Sequence, residues 1–320
     1  MNRLFSQRHS LSTASSSGEH ALTHANTDRV MANKTTLKLS PKNIGLIKGV
    51  VAVIMFSLTV PMTQIALTGF SPEAIAAFRV LLAGIFSLTL ISKLSARTPT
   101  LKETFGLLIA GLGICIGFPY GISLALQQTS AAEMGVALAA LPLLTAILAV
   151  FVAKERHNIG FWLSAFAGFG VLAHFFSNGL SVALPFSLLV TLISAAAGYA
   201  IGAKVAQTLG GWQTICWMMI LYLPVSAFAF GYNATLEFSW NLEAGLALIY
   251  LAFISQWLGF HFWYDGMAKA GIGKVSQLQL LQPFLTLIFV ALMLGEALAW
   301  SQLGYVLLIA AAVFGALKFR

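Results

Sequence analysis

A chain of 320 residues with 58% hydrophobic and 9% charged residues lacks the polar surface a water-soluble domain of this length needs. Its formal charge of +8 would suggest nucleic acid in a soluble protein, but in so apolar a chain it first calls for a topological explanation. Cys115 and Cys216 both lie in apolar runs and form neither a metal-ligand spacing nor a disulfide framework.

Residues 1–43 are rich in Ser, Thr, Asn and basic side chains and hold no long apolar run. They read as a disordered basic tail. The tail is long and the first apolar segment has no clear cleavage site, so a secretory leader is not expected. Met31 offers a second start for translation.

From Ile44 onward, apolar segments follow one another closely. A membrane-spanning helix needs about 20 residues to cross about 30 Å of hydrocarbon. Ten segments meet that length: 44–65, 72–92, 104–126, 132–153, 158–177, 184–204, 212–231, 244–265, 274–294 and 300–318. The expected fold is an all-α membrane protein of ten transmembrane helices.

Lysine and arginine set the orientation. With the N-terminus inside, seventeen of the eighteen basic residues fall in the tail, the inner loops or the C-terminus. The outer side carries Glu73, Glu133, Glu237, Glu243 and Glu296 instead. Both termini are therefore expected in the cytoplasm, with the protein in the inner (plasma) membrane.

The stretch Leu141–Glu155 returns as Gln282–Glu296. Pro142, Thr145 and Glu155 match Pro283, Thr286 and Glu296 without a gap. The chain thus reads as two similar halves, 44–180 and 181–320. Five helices per half is an odd number, so the second half enters the membrane upside down. Inverted repeats recur in secondary transporters, where the halves exchange conformations to give alternating access. Pro142, Glu155, Pro283 and Glu296 are expected to anchor helix ends and the repeat interface.

Polar residues inside spans mark the candidate pathway. Arg79, the eighteenth basic residue, lies about two turns into the second span. A guanidinium in hydrocarbon costs several kcal/mol, at about 3 on insertion scales, unless it faces a wet cavity or a partner. Its planar fork suits a carboxylate or a phosphate. The competing account is snorkelling to the headgroups. On the ninth span, Ser276, Gln279, Gln282, Pro283 and Thr286 fall within an arc of about 120°. Such an arc lines a cavity or bonds neighbouring helices, since lipid offers glutamine no partner. Gln64, Tyr120, Tyr199 and Gln256 add amides and hydroxyls from the first, third, sixth and eighth spans. Together they suit a small polar or amphipathic solute.

His261 and Asp265 stand i, i+4 on the eighth span and share a face. The pair could carry a coupling proton. The rival account is a pair at the cytoplasmic end, with Trp263 and Tyr264 as interfacial anchors.

The sequence holds no H-E-x-x-H, G-x-S-x-G, Walker loop or Rossmann glycine pattern. No enzyme, cofactor, metal or nucleic-acid partner is expected; the partners are the bilayer, a small-molecule solute and protons. A membrane-embedded enzyme acting on lipid would need a nucleophile–base or metal set at one depth. A third class, a sensor or subunit, would show no flux.

Ten spans, two five-helix halves and a Pro–x12–Glu segment closing the fourth helix of each resemble the EamA-type transporters of the drug/metabolite transporter superfamily. The resemblance covers residues 44–318. The run from Ala125-Leu-Gln-Gln-Thr-Ser-Ala-Ala to Glu155 fits that pattern well, whereas Ala270-Gly-Ile-Gly-Lys-Val-Ser before the ninth helix departs from it. The resemblance implies a secondary transporter of small metabolites, in most members an exporter of amino acids, metabolites or toxic compounds, and in some an importer.

Overall fold

The structure is a computed structural model that describes residues 40–153, 158–179, 186–233 and 241–318. Most of the expected tail, and Glu155 with it, lie outside the described residues. Every regular element among the described residues is helical.

Grouped by chain continuity, the helices are α1 (Pro41–Ser57 and Thr59–Ala66), α2 (Pro72–Lys93), α3 (Leu101–Ala125) and α4 (Ala131–Leu138 and Leu141–Ala153). They continue as α5 (Ile159–Gly179), α6 (Phe186–Leu209), α7 (Gly211–Asn233) and α8 (Leu242–Ala270). The last two are α9 (Ile272–Leu278, Gln279–Leu281 and Gln282–Leu294) and α10 (Trp300–Lys318). Among the described residues, eight of these, α1–α4 and α6–α9, are long and apolar enough to cross a membrane. The α5 and α10 helices are apolar over the shorter stretches 159–175 and 300–315.

The surface is greasy, and polar side chains turn inward among an apolar core. Leu101, Phe228 and Leu292 stand out at 88%, 76% and 76% exposure, whereas Arg79, Gln256, Gln279 and Thr286 are wholly buried. Lipid demands this reversal, because it accepts apolar side chains and offers polar ones nothing.

Prolines break the helices where the interior is most polar. Pro61 has no N–H, so the Ser57 carbonyl four residues back loses its helical donor. Thr286 Oγ1 of α9 donates to that carbonyl at 3.1 Å instead. In α4 the helix breaks between Leu138 and Leu141, just before Pro142. In α9 a short 3-10 turn, Gln279–Leu281, precedes Pro283 in the same way. Both copies of the repeated segment thus begin with one irregular turn and a proline at the second residue of the new helix.

Pro119 lies inside α3. The structure places a π-helical stretch, Leu112–Gly117, directly before it. A wider turn absorbs the missing donor without a sharp bend. The α8 helix carries a longer π stretch, Tyr250–Gly259, with no proline in it. The two wide turns are tied together, because Gln256 Nε2 of α8 donates to the Ile114 carbonyl of α3 at 2.9 Å.

The α8 helix extends five residues past its expected end at 265 and stops at Gly271, whose φ is +94°. The added residues are Gly266-Met-Ala-Lys-Ala270, of which Gly266, Met267 and Ala270 are buried. Only glycine adopts the closing conformation readily.

Glu296 links the two halves. Its carboxylate accepts from the backbone N–H groups of Ala131 and Ala132 at 3.3 and 3.1 Å, at the start of α4. A carboxylate at a helix N-terminus meets both orphan donors and the positive end of the dipole. Glu296→Gln is expected to lower unfolding stability by about 1 kcal/mol. Thermal unfolding in detergent reads this. An unchanged Tm would mean that the capping box of Ser130 and Glu133 on the same helix suffices alone.

Candidate functional site

The centre of the bundle is built around Arg79. It sits on α2, and its side chain is wholly buried. Snorkelling is therefore not what this side chain does. Nη2 donates to Ser255 Oγ of α8 at 3.3 Å. Ser255 Oγ in turn shares a 2.8 Å hydrogen bond with Thr59 Oγ1 of α1. The guanidinium carbon lies 6.0 Å from the Phe118 ring centre on α3. Nε and Nη1 are buried without a hydrogen-bond partner, and among the described residues no carboxylate pairs with the charge.

Other unpaired polar atoms come from the surrounding helices. They include the amide oxygens of Gln64 on α1, Gln256 on α8 and Gln279 on α9. Gln279 Nε2 reaches Gln282 Oε1 at 3.5 Å. Buried polar groups are normally paired, so such a concentration is unusual.

Beside them stands an aromatic cluster. The rings of Phe56, Tyr199, Phe260 and Trp263 pack with centroids 4.9–6.1 Å apart. Trp263 and Tyr264 are wholly buried, which corrects the expectation that they are interfacial anchors. Tyr264 donates to the Gly198 carbonyl at 3.0 Å, inside the bundle. Amphipathic rings belong at an interface only where their helix face meets lipid, and this face meets α6.

Two expected members stand apart. Tyr120 is 36% exposed and donates to Glu73 at 3.1 Å. It lines a separate cleft of about 190 Å³ between α2, α3 and α7, with Tyr222 and Ser226. His261 and Asp265 share a helix face but no hydrogen bond joins them. Asp265 is held by Lys48 of α1 and by Lys269 at 2.7 Å. The His261 ring stacks on Trp257, 5.9 Å between centres, and its Nδ1 has no partner. Asp265 is thus held in a lysine–aspartate–lysine bridge, because two cations outcompete an imidazole for one carboxylate.

Of the ninth-span arc, Gln279, Gln282, Pro283 and Thr286 all turn inward. The equivalent threonines differ in what they do. Thr286 crosses to α1, whereas Thr145 donates to Leu141 of its own helix at 2.8 Å. Thr59 and Ser255, which tie Arg79 to α1 and α8, were missed in the sequence. Small hydroxyls in apolar helices usually bond their own backbone, so only their tertiary neighbours single them out.

Residues 43–177 and 184–318 each match the EamA-like transporter family. The "Uncharacterized transporter YdeK" of Bacillus subtilis (strain 168) is 33% identical over 279 residues, 86% of this chain and 97% of its own. A solved crystal structure, 19% identical, superposes with a TM-score of 0.56 over 86% of this chain and 95% of its own, a likeness of fold alone. Matched along both halves, each with its Pro–x12–Glu segment, the chain is a membrane transporter and belongs to the EamA-like transporter family.

Proposed function

We propose that this transporter carries a small amino acid-like zwitterion, by alternating access and in the outward direction. One observation carries the reading: Arg79 is a fully buried guanidinium with two nitrogens unpaired and, among the described residues, no carboxylate beside it. An uncompensated buried charge is costly, and a substrate carboxylate would offset that cost. The fork of Arg79 presents parallel donors for it. The unpaired oxygens of Gln64, Gln256 and Gln279 are acceptors suited to an ammonium group. The rings of Phe56, Phe260 and Trp263 suit an apolar or aromatic side chain.

In this reading ten spans form two inverted five-helix halves, 44–180 and 181–320. Each half supplies part of the site, with Arg79 and Gln64 from the first and Tyr199, Gln256 and Gln279 from the second. Relative motion of the halves would open the site to one side and then the other. Both termini then face the cytoplasm, and reporter fusions at residues 180 and 206 should report opposite sides. The same side for both would sink the ten-span scheme.

The direct test uses purified protein in liposomes loaded with unlabelled amino acids. Uptake of a labelled amino acid by counterflow is expected, strongest for residues with large apolar side chains. Competition by the free amine or the free acid alone should be weak, since each meets half of the site. Transport of a cation lacking any carboxylate, unaffected by amino acids, would overturn the reading.

A further inference from the structure

We infer that the cleft between α2, α3 and α7 is a second binding site, for an amine with an apolar body and no carboxylate. The cleft follows from how α2 and α7 pack. They come close at Gly84, where a Cβ would lie 3.2 Å from the Met219 carbonyl oxygen. About 12 Å nearer the start of α2, Ala76, Ala77 and Val80 face Ser226 and Ala229. Small side chains on both helices leave a gap of about 190 Å³. Beside it the rings of Phe78 and Phe230 pack with centroids 4.5 Å apart and bridge the same two helices. The α3 helix adds Cys115, which is buried, and Ile116 and Tyr120 at the rim.

The polar groups of the cleft are few, and most are engaged. Tyr222 donates to the Leu108 carbonyl of α3. Ser226 Oγ donates to the Leu223 carbonyl of its own helix at 2.9 Å. Tyr120 donates to Glu73 Oε1 at 3.1 Å. What remains for a ligand is the carboxylate of Glu73, half-buried in the first turn of α2. One neutral hydroxyl does not balance its charge. Among the described residues no lysine or arginine pairs with Glu73, and none lines the cleft.

The occupant follows from that layout. An apolar neutral molecule would fill the gap and leave the carboxylate uncompensated. A phospholipid headgroup would bring a phosphate up to Glu73 with no basic residue to receive it. An amino acid would bring a second carboxylate, and like charges at short range repel. An ammonium group on an apolar body meets both features. It donates a charge-assisted hydrogen bond to Glu73, and its body lies against Ala76, Val80 and Val225. The tyrosine rings at the rim and wall add faces that attract a cation. The site is thus distinct from the one around Arg79, which calls for a carboxylate.

Equilibrium dialysis of labelled phenethylamine against the detergent-solubilised full chain tests this. Saturable binding of one amine is expected. Phenylalanine, the same molecule with a carboxylate, and 2-phenylethanol, its uncharged analogue, should each compete about tenfold less well. Glu73→Gln should weaken the amine about tenfold, and Ala76→Leu, which fills the gap, by a similar factor. Saturating phenethylamine should raise the Tm of the unaltered chain and not that of Glu73→Gln, because a ligand stabilises only the fold that binds it. Glu243→Gln, at an exposed glutamate in the first turn of α8, is the control for general surface charge. Undiminished binding in Glu73→Gln would leave that residue to its helix terminus and overturn the site. Equal weakening by Glu243→Gln, equal competition by 2-phenylethanol or phenylalanine, or displacement by phosphatidylethanolamine would overturn it too. None of these readouts involves flux, so failure of the amino acid reading would leave them in place.

Discussion

Arg79→Ala is expected to lower transport by about 100-fold while the protein still folds and reaches the membrane. Truncating one partner of a buried, hydrogen-bonded charge pair typically costs about 3 kcal/mol, and each 1.4 kcal/mol is about tenfold in affinity. In the proposed reading the partner is the substrate, so the loss should fall on transport. Stability should behave differently. Among the described residues no carboxylate is left unpaired when this guanidinium is removed, because none binds it. Arg79→Met keeps most of the stem's volume and removes a desolvated charge. It should leave the Tm unchanged or raise it, as replacing buried charges by packed apolar groups often does. Arg79→Lys should recover transport only in part, because an ammonium cannot present the same fork. Flux assays in liposomes and thermal unfolding of the same preparations separate the two roles. Normal flux in the alanine variant, or a sharp fall in Tm in the methionine variant, would make Arg79 a structural residue.

The second large effect is on assembly of the halves. Gly113 of α3 faces α6, and a Cβ placed on it would lie 2.2 Å from the Ser194 carbonyl oxygen and 3.3 Å from the Gly198 nitrogen. Backbone atoms cannot swing aside as a side-chain tip can. Gly113→Ala must therefore separate α3 from α6 or distort the π turn it sits in. Overpacking of this kind costs about 3 kcal/mol, and a membrane helix pair has only close packing and few polar bonds to hold it. The expected result is a sharply reduced yield of folded protein and a lowered Tm. Gly170→Ala on α5 is the control, because nothing lies within 4 Å of a Cβ there. It should be neutral or stabilising by up to about 1 kcal/mol through helix propensity. Equal stability of the two variants would mean that α3 and α6 do not approach as the structure places them.

Several buried polar residues of the candidate site could be read in the chain because the bilayer makes polar residues conspicuous. Arg79, Gln256 and Gln279 stand out in apolar runs, and all three are buried near the centre. Tyr120 stood out in the same way and points elsewhere, towards Glu73. Helical spacing fixes which residues share a face, but it does not say what that face meets. His261 and Asp265 show the limit from the other side. Their spacing is right for a pair, yet Lys48, 217 residues earlier in the chain, takes the carboxylate. An ion pair forms wherever the fold brings charges together, whatever their separation in sequence.

What the sequence determined by itself is the solvent, the helices and the repeat. Each follows from local quantities: the length of an apolar run, the spacing of prolines, and an offset shared by Pro142 with Pro283 and Thr145 with Thr286. The tertiary structure decided which polar atoms meet. It alone set Thr59 and Ser255 beside Arg79, joined the π turns of α3 and α8 through Gln256, and carried Glu296 to the start of α4. It also left Nε and Nη1 of Arg79 without a partner, because α1, α3 and α8 bring hydroxyls and a ring to that depth and, among the described residues, no carboxylate. Pairing is a property of positions in space, and a one-dimensional pattern holds only the half of it that lies within a single helix.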